Sequence, residues 1–214
     1  MSKTSIARVW YAAIAVQVLI AISIRGVLSW QDINGEFSTP IGRVVNMFCY
    51  FTIQSNILVG VVALLLAINT KRDSTRFFVA QLTGLVCVLV AGVVYHILLA
   101  SEEQLEGLAV LTNFVVHTSA PIMFTLGWLF FNDHGRTTWR IVRLSLLFPI
   151  GWAIFAMIRG AIIHYYPYPF MDVVDLGYAT ALINMGVVTV FFIALFVGVH
   201  LLDRKIANLI GFKV

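Results

Sequence analysis

Six long apolar runs, separated by short polar or charged segments, follow one another along the chain. A helix needs about 20 apolar residues to cross a hydrocarbon layer of about 30 Å, and most of these runs reach that length. Residues 31–40, which contain Asn34-Gly35 and Pro40, are typical of a turn-rich loop. We therefore predict an all-α integral membrane protein, a single domain over 1–214 with six transmembrane helices at about 9–24, 44–68, 77–99, 111–131, 141–163 and 178–202.

The composition agrees with this class of protein. Of the 214 residues, 60% are hydrophobic and 11% charged, and the mean hydropathy is +0.94. Cys49 and Cys87 both lie inside apolar runs, so their positions suggest neither a disulfide framework nor a metal-binding spacing. We expect both to be buried as small hydrophobic side chains and no metal ion to be bound.

Basic residues are concentrated in alternate loops, which predicts the orientation of the helices. Eleven of the 14 lysines and arginines fall on one side, namely Lys3, Arg8, Lys71, Arg72, Arg76, Arg136, Arg140, Arg143, Arg204, Lys205 and Lys213. The positive-inside rule then places both termini in the cytoplasm, and it explains the net charge of +4 without a nucleic-acid partner.

The opposite side carries most of the acidic residues and three arginines. The acidic residues are Asp32, Glu36, Glu102, Glu103, Glu106, Asp172 and Asp175. Arg25, Arg43 and Arg159 run against the topology signal. Two interpretations are open for them: anchors at the membrane surface, or partners of outer carboxylates such as Asp172 in a site that faces an anionic group.

Polar side chains inside the second and fourth runs need partners that lipid cannot provide. Thr52 lies eight positions into the second predicted helix and His117 six positions into the fourth. These positions correspond to depths of about 12 and 9 Å below the same boundary. Asn56 lies one turn from Thr52 and Asn113 one turn from His117, each on the same helix face. The pattern predicts one buried polar layer.

A histidine beside a hydroxyl side chain is the minimum apparatus for nucleophilic acyl transfer, because the imidazole can take the proton of the attacking oxygen. An ionisable residue inside a membrane span is a functional candidate by default. Ser55 is a competing hydroxyl, three positions from Thr52. Structural interpretations also stay open at this point, with Thr52 as a helix-packing residue and His117 as an interhelical hydrogen-bond partner.

Several short motifs carry a family resemblance. In chain order they are Tyr50-Phe51-Thr52-Ile53-Gln54-Ser55-Asn56, His117 with Pro121, Gly127-Trp128-Leu129-Phe130-Phe131, Arg159-Gly160, and Tyr166-Pro167-Tyr168-Pro169-Phe170 with Asp172. Together they resemble the bacterial branch of the androgen-induced membrane hydrolase family. The resemblance implies a six-helix protein of the bacterial inner membrane. Family members of animal origin hydrolyse fatty acid esters of hydroxy fatty acids with an intramembrane threonine and a histidine, roles that fall on Thr52 and His117.

The leading expectation is therefore a membrane-embedded hydrolase of lipid or fatty-acyl esters that needs no cofactor. Thr52 is expected to attack the carbonyl, with His117 as general base and then acid. Supporting roles fall to asparagines and arginines: Asn113, Asn56 or Asn184 for orienting the imidazole or binding the oxyanion, and Arg25 or Arg159 for holding a carboxylate head group.

Two other classes of function remain open. A haem-binding membrane redox protein would use two of His96, His117 and His164 as axial ligands. A transporter or non-catalytic scaffold would use the same polar layer to bind a solute. For transport we find no duplicated half-chain, although Pro121 is expected to break the fourth helix locally.

Overall fold

The computed structural model describes residues 2–101 and 104–211, and within these ranges the chain is helical and contains no strand. The elements are α1 (Lys3–Gln31), α2 (Pro40–Cys49), α3 (Phe51–Ile68), α4 (Thr75–Val94), the π turn π1 (Tyr95–Leu99), α5 (Leu108–Phe114), the π turn π2 (Val115–Ser119), α6 (Ala120–Phe131), α7 (Trp139–Ser145), α8 (Leu147–Ile163), a short 3-10 helix (Pro169–Met171) and α9 (Val173–Leu209). Glu102, Glu103 and Lys213, which contribute to the predicted charge distribution, lie outside the described residues.

Six helical segments in the described ranges are long and apolar enough to cross a membrane. They are Lys3–Gln31, Phe51–Ile68, Thr75–Leu99, Leu108–Phe131, Trp139–Ile163 and Val173–Leu209. The predicted fold class, all-α with six membrane-spanning helices, is confirmed, and the helices indicate a multi-pass membrane protein. The cytoplasmic position of both termini stays a prediction.

The chain forms two compact units, Met1–Asp133 and His134–Val214. In the first unit α1 packs along α3 and also contacts α2, α5 and α6, while α3 packs on α4. In the second unit α9 contacts the 3-10 helix and α7. The single domain over 1–214 stays a prediction.

The second apolar run is two helices, so the prediction of one helix over 44–68 is wrong. Tyr50 has an extended backbone (φ −69°, ψ 137°) and separates α2 from α3. Pro40, which we predicted in a loop, begins α2 because the first helical position needs no N–H donor. The side-chain Nε2 of Gln54 donates to the Phe48 carbonyl at the end of α2, at 3.1 Å. Thr52 therefore lies in the first turn of a helix.

Most of the other helical segments are longer in the structure than we predicted. α1 covers Lys3–Gln31 where 9–24 was predicted, and α9 covers Val173–Leu209 where 178–202 was predicted. Gly177 bends α9 near its start, at a φ of 72° that glycine adopts without a steric penalty. The predicted spans followed only the apolar core of each helix, whereas the helices continue into the polar flanks.

Arginines in the first unit hold the ends of helices. Arg43 Nε donates to the Ser29 carbonyl and its Nη2 to the Trp30 carbonyl, each at 3.1 Å, at the end of α1. Arg8 donates in the same way to the last carbonyls of α3. These carbonyls have no donor within their helix, and the negative end of the helix dipole favours a cation. Arg43 thus stabilises a helix end through carbonyl groups.

The second unit has a small aromatic core. Tyr166 and Met171 pack with Ala156 of α8. The Tyr166 ring lies directly on Gly160, so closely that a β-carbon at this glycine would overlap it. The aromatic segment that contributes to the family resemblance therefore packs the core of this unit.

Candidate active site

The fourth membrane span changes helix type just before Pro121. Pro121 has no N–H, and a proline ring inside a helix crowds the carbonyl four residues earlier, here that of His117. The Ala120 N–H bonds the Val115 carbonyl, five residues back, and closes the π turn π2. The Val116 carbonyl thereby loses its usual donor. Such π turns recur at functional sites, and this one is the local break predicted at Pro121.

A glycine on α4 makes room for the displaced backbone of π2. A β-carbon placed on Gly92 would lie 2.7 Å from the His117 carbonyl oxygen, a distance that β-carbons essentially never show. The absence of a side chain at Gly92 therefore lets α4 approach the segment that carries His117.

The structure brings Thr52, His117 and Asn113 into one hydrogen-bonded chain. Thr52 Oγ1 lies 3.2 Å from His117 Nε2, and His117 Nδ1 lies 2.8 Å from Asn113 Oδ1. An amide oxygen can only accept, so Nδ1 carries the proton of the neutral ring. Nε2 is then an acceptor facing the Thr52 hydroxyl. This is the arrangement that a nucleophile, a general base and an orienting group require.

Asn56 links the helix that carries Thr52 to the segment that carries His117. Its Nδ2 donates to the Thr52 carbonyl at 2.9 Å and to the Val116 carbonyl at 3.0 Å, which is the carbonyl that the π turn leaves without a donor. Asn56 is fully buried. Because both hydrogens of its amide are engaged, Asn56 links α3 to π2 and has no hydrogen left for an oxyanion.

Ser55, the competing hydroxyl in the sequence, has another partner. Its Oγ donates to the Thr52 carbonyl at 3.1 Å, and the side chain is fully buried. Thr52 is therefore the hydroxyl that faces the imidazole, and Ser55 supports its backbone.

Tyr95 is the site residue that our reading of the sequence missed. Its ring stacks on the His117 ring, with centroids 4.0 Å apart and planes 14° from parallel. A second contact joins the same two π turns, because His96 Nε2 lies 3.0 Å from Thr118 Oγ1. The aromatic pair Tyr95-His96 near the end of an apolar run is the only sequence signal for this contact, and it carries no information about helix rotation.

The N-terminus of α3 lies beside the Thr52 hydroxyl. Thr52 is the second residue of this 18-residue helix. An α-helix leaves its first N–H groups without acceptors inside the helix, and the dipole places partial positive charge there. A negatively charged oxygen that develops next to Thr52 Oγ1 is favoured by both effects.

Arg25 is the one predicted carboxylate-binding residue that shares the first unit with Thr52 and His117. Its side chain is half-buried within α1 and forms neither a hydrogen bond nor an ion pair with any described residue. The first unit thus contains a half-buried cation that has no counter-ion among the described residues.

Two other residues with predicted supporting roles, Arg159 and Asn184, belong to the second unit. The Arg159 guanidinium lies 5.9 Å from the centre of the Tyr165 ring. Asn184 Nδ2 donates to the Phe170 carbonyl at 2.9 Å. Both side chains make contacts inside that unit.

The geometry gives no support to haem ligation. Both ring nitrogens of His117 have partners, and so does Nε2 of His96. Axial ligation by either nitrogen of His117, or by Nε2 of His96, would break these hydrogen bonds. In the ranges that the structure describes, no group of three or more His, Cys, Asp or Glu side chains could hold a metal ion.

The fold and the site together define a class of protein, a six-span helical protein in which a partly buried Thr–His–Asn hydrogen-bonded chain joins two membrane-spanning segments. Comparison of the sequence and structure with protein-family models, with curated proteins and with solved structures finds no match. The resemblance to the androgen-induced membrane hydrolases stays a prediction.

Proposed function

We propose that this protein is a membrane-embedded hydrolase of lipid-like esters that uses Thr52 as its nucleophile. The observation that carries the proposal is the chain from Thr52 Oγ1 through the His117 ring to Asn113 Oδ1. A structural role for His117 would require one satisfied hydrogen bond, whereas this chain also fixes the tautomer that accepts the threonine proton.

The reaction has two halves. In the first, His117 Nε2 takes the Thr52 proton while Oγ1 bonds to the ester carbonyl carbon, and the imidazolium then protonates the departing alcohol. In the second, His117 takes a proton from water, the resulting hydroxide attacks the acyl-threonine, and the returned proton restores the Thr52 hydroxyl as the free acid leaves. The positive end of the α3 dipole, beside Thr52, favours the oxyanion in both halves.

The surroundings of the site support the proposed class of substrate. Because Thr52 and His117 lie in membrane-spanning helices, an ester with long acyl chains reaches them from the bilayer. Arg25, in the same unit, is the residue that we propose to bind a carboxylate of the substrate. A fatty acid ester of a hydroxy fatty acid combines these features, and it is also the class that the family resemblance implies.

The test is hydrolysis of such an ester by the purified full-length protein in lipid nanodiscs, with the released fatty acid measured by mass spectrometry. We expect Thr52→Ala and His117→Ala each to lower kcat by about 10² to 10⁴-fold, since each removes a group that acts in the transition state. Ser55→Ala is the matched control, and it should retain most of the activity.

The same assay tests the head-group contact. Arg25→Gln should raise KM for the ester that bears a free carboxylate and leave KM for its methyl ester unchanged. A Thr52→Ala variant that hydrolyses either ester at the parent rate would refute the proposed mechanism.

A further inference from the structure

A cavity in the second unit is lined by the charged end of α9. Its volume is about 500 Å³. One row of the lining holds His200, Arg204 and Asn208, and the neighbouring row holds Leu201, Lys205 and Leu209. Each row has the four-residue spacing that places side chains on one face of a helix. The cavity therefore combines cationic, polar and apolar groups on a single helical surface.

His200 is a buried polar group without a described partner. Its side chain is 1% exposed, and neither ring nitrogen hydrogen-bonds to any residue in 2–101 or 104–211. The Trp139 ring, also part of the lining, lies against it with centroids 4.5 Å apart. Buried imidazoles in proteins are nearly always hydrogen-bonded, so an unpartnered one that lines a cavity points to a ligand with polar atoms.

The positive charges of the cavity are not neutralised by the adjacent carboxylate. Asp203 is 1% exposed and accepts hydrogen bonds from His134 Nδ1 at 3.1 Å and from the Thr137 N–H at 2.9 Å. Arg204 and Lys205 are exposed and form no ion pair with a described residue. The cavity thus presents two free cations, which favours an anionic ligand.

We propose that this cavity binds the phosphate ester group of an anionic amphiphile, such as a phospholipid. Arg204 has the forked donors that match phosphate oxygens, and Lys205 adds a second charge. The buried His200 imidazole lies behind these two cations in the lining and would complete the phosphate contacts by turning towards the ligand, while Trp139 and the two leucines would pack on the adjoining hydrocarbon. The cavity lies where the apolar sequence of the sixth span gives way to charge, which is the level of lipid headgroups.

The residues of this cavity all lie in the second unit, whereas Thr52, His117 and Asn113 all lie in the first, so the proposal does not rest on the proposed hydrolase activity. The positive-inside distribution predicts that this end of α9 faces the cytoplasm. Juxtamembrane basic residues on that side attract anionic lipids.

The experiment is native mass spectrometry of the full-length protein titrated with dioleoyl phosphatidylglycerol and, separately, with dioleoyl phosphatidylcholine. Arg204→Gln combined with Lys205→Gln should weaken phosphatidylglycerol binding by about tenfold or more, because charge-assisted hydrogen bonds are lost. His200→Leu should weaken it as well. The matched control is Lys71→Gln combined with Arg76→Gln, which removes the same charge from exposed positions of the first unit. Far-UV circular dichroism and gel filtration check that each variant is folded.

Competition with soluble glycerol 3-phosphate distinguishes a lipid headgroup from a soluble phosphate ester as the ligand of the cavity. Displacement of the lipid by glycerol 3-phosphate would support recognition through the phosphate ester alone, and failure to displace it would support recognition of the whole amphiphile. Equal binding of the two lipids by the parent would overturn the proposal. Equal losses in the cavity variant and the control variant would overturn it too, since surface charge would then explain the binding.

Discussion

Thr52 and His117 are 65 positions apart in the sequence, and three other side chains hold them in contact. Asn113 sets the proton on Nδ1 of the imidazole, Asn56 holds the backbones of both segments, and Tyr95 stacks on one face of the ring. The hydroxyl and the imidazole are thus held in place before a substrate binds, which is the geometric condition for general base catalysis.

Asn113 is a positioning residue, and replacing it tests this role. Asn113→Leu has a similar size but no acceptor for the Nδ1 proton, so we expect kcat to fall by about 10²-fold with KM unchanged. Asn113→Asp keeps an acceptor at the same place and should restore most of kcat. The kinetic parameters of the two variants are compared in the hydrolysis assay. Equal losses of kcat in both variants would contradict an orienting role.

From the sequence we predicted that Thr52 and His117 share one buried polar layer, but not the other contacts of the site. Polar residues inside an apolar run can be recognised as site candidates, because lipid offers them no hydrogen-bond partners. Here they are Thr52, Asn56, Asn113 and His117. Tyr95 could not be recognised in this way, since a tyrosine near the end of a span is equally compatible with lipid contact. Its position on His117 depends on helix rotation, which packing decides.

Among the helical elements, the π turn π2 and α4 have complementary shapes where they pack against each other. Pro121 removes an N–H and displaces the His117 carbonyl, and Gly92 on α4 provides the space that this carbonyl occupies. The Val116 carbonyl, which the same turn leaves without its usual donor, is satisfied by Asn56. A proline, a glycine and an asparagine on three elements therefore produce one local geometry.

Gly92→Ala should be destabilising because the added β-carbon would meet a backbone oxygen. We expect the free energy of unfolding to fall by about 1 to 3 kcal/mol. Cys87, fully buried in α4, provides the measurement: its reaction with a maleimide dye reports thermal opening of the first unit in a Cys49→Ser background.

Gly26→Ala is the control for that substitution, because a β-carbon at Gly26 has no atom within 4 Å. Replacing this helical glycine should raise stability by about 0.5 to 1 kcal/mol. If Gly92→Ala and Gly26→Ala shifted the opening temperature in the same direction, close packing at Gly92 would not explain the effect.

Apolar runs predicted the six spans but not the break between α2 and α3. Tyr50 is neither proline nor glycine, so no breaker marks this position. The indirect signal is Gln54, whose side chain satisfies a carbonyl at the break.

At the level of the whole molecule we predict the topology, that is, the side of the membrane on which both termini lie. The prediction combines the number of membrane-spanning helices with the distribution of basic residues. An even number of spans returns the chain to its starting side, and the excess of lysine and arginine marks that side as cytoplasmic. Several arginines have a second role, since Arg8 and Arg43 also hold helix ends.

A C-terminal fusion tests this topology. A green fluorescent protein fused after Val214 should fluoresce, and alkaline phosphatase fused at the same place should be inactive, because the first folds in the cytoplasm and the second only outside it. The same two reporters fused within residues 31–40 should give the reverse pattern. Active phosphatase at the C-terminus would contradict the predicted orientation.

The central claim, an activated Thr52, is tested most directly by covalent labelling with a lipid-like fluorophosphonate. Thr52 Oγ1 would bond to phosphorus as fluoride leaves, and peptide mass spectrometry locates the adduct. We expect an adduct on Thr52 in the parent and in Ser55→Ala, and none in Thr52→Ala or His117→Ala. A parent protein that stays unlabelled, or a Thr52→Ala variant that labels as strongly as the parent, would contradict it.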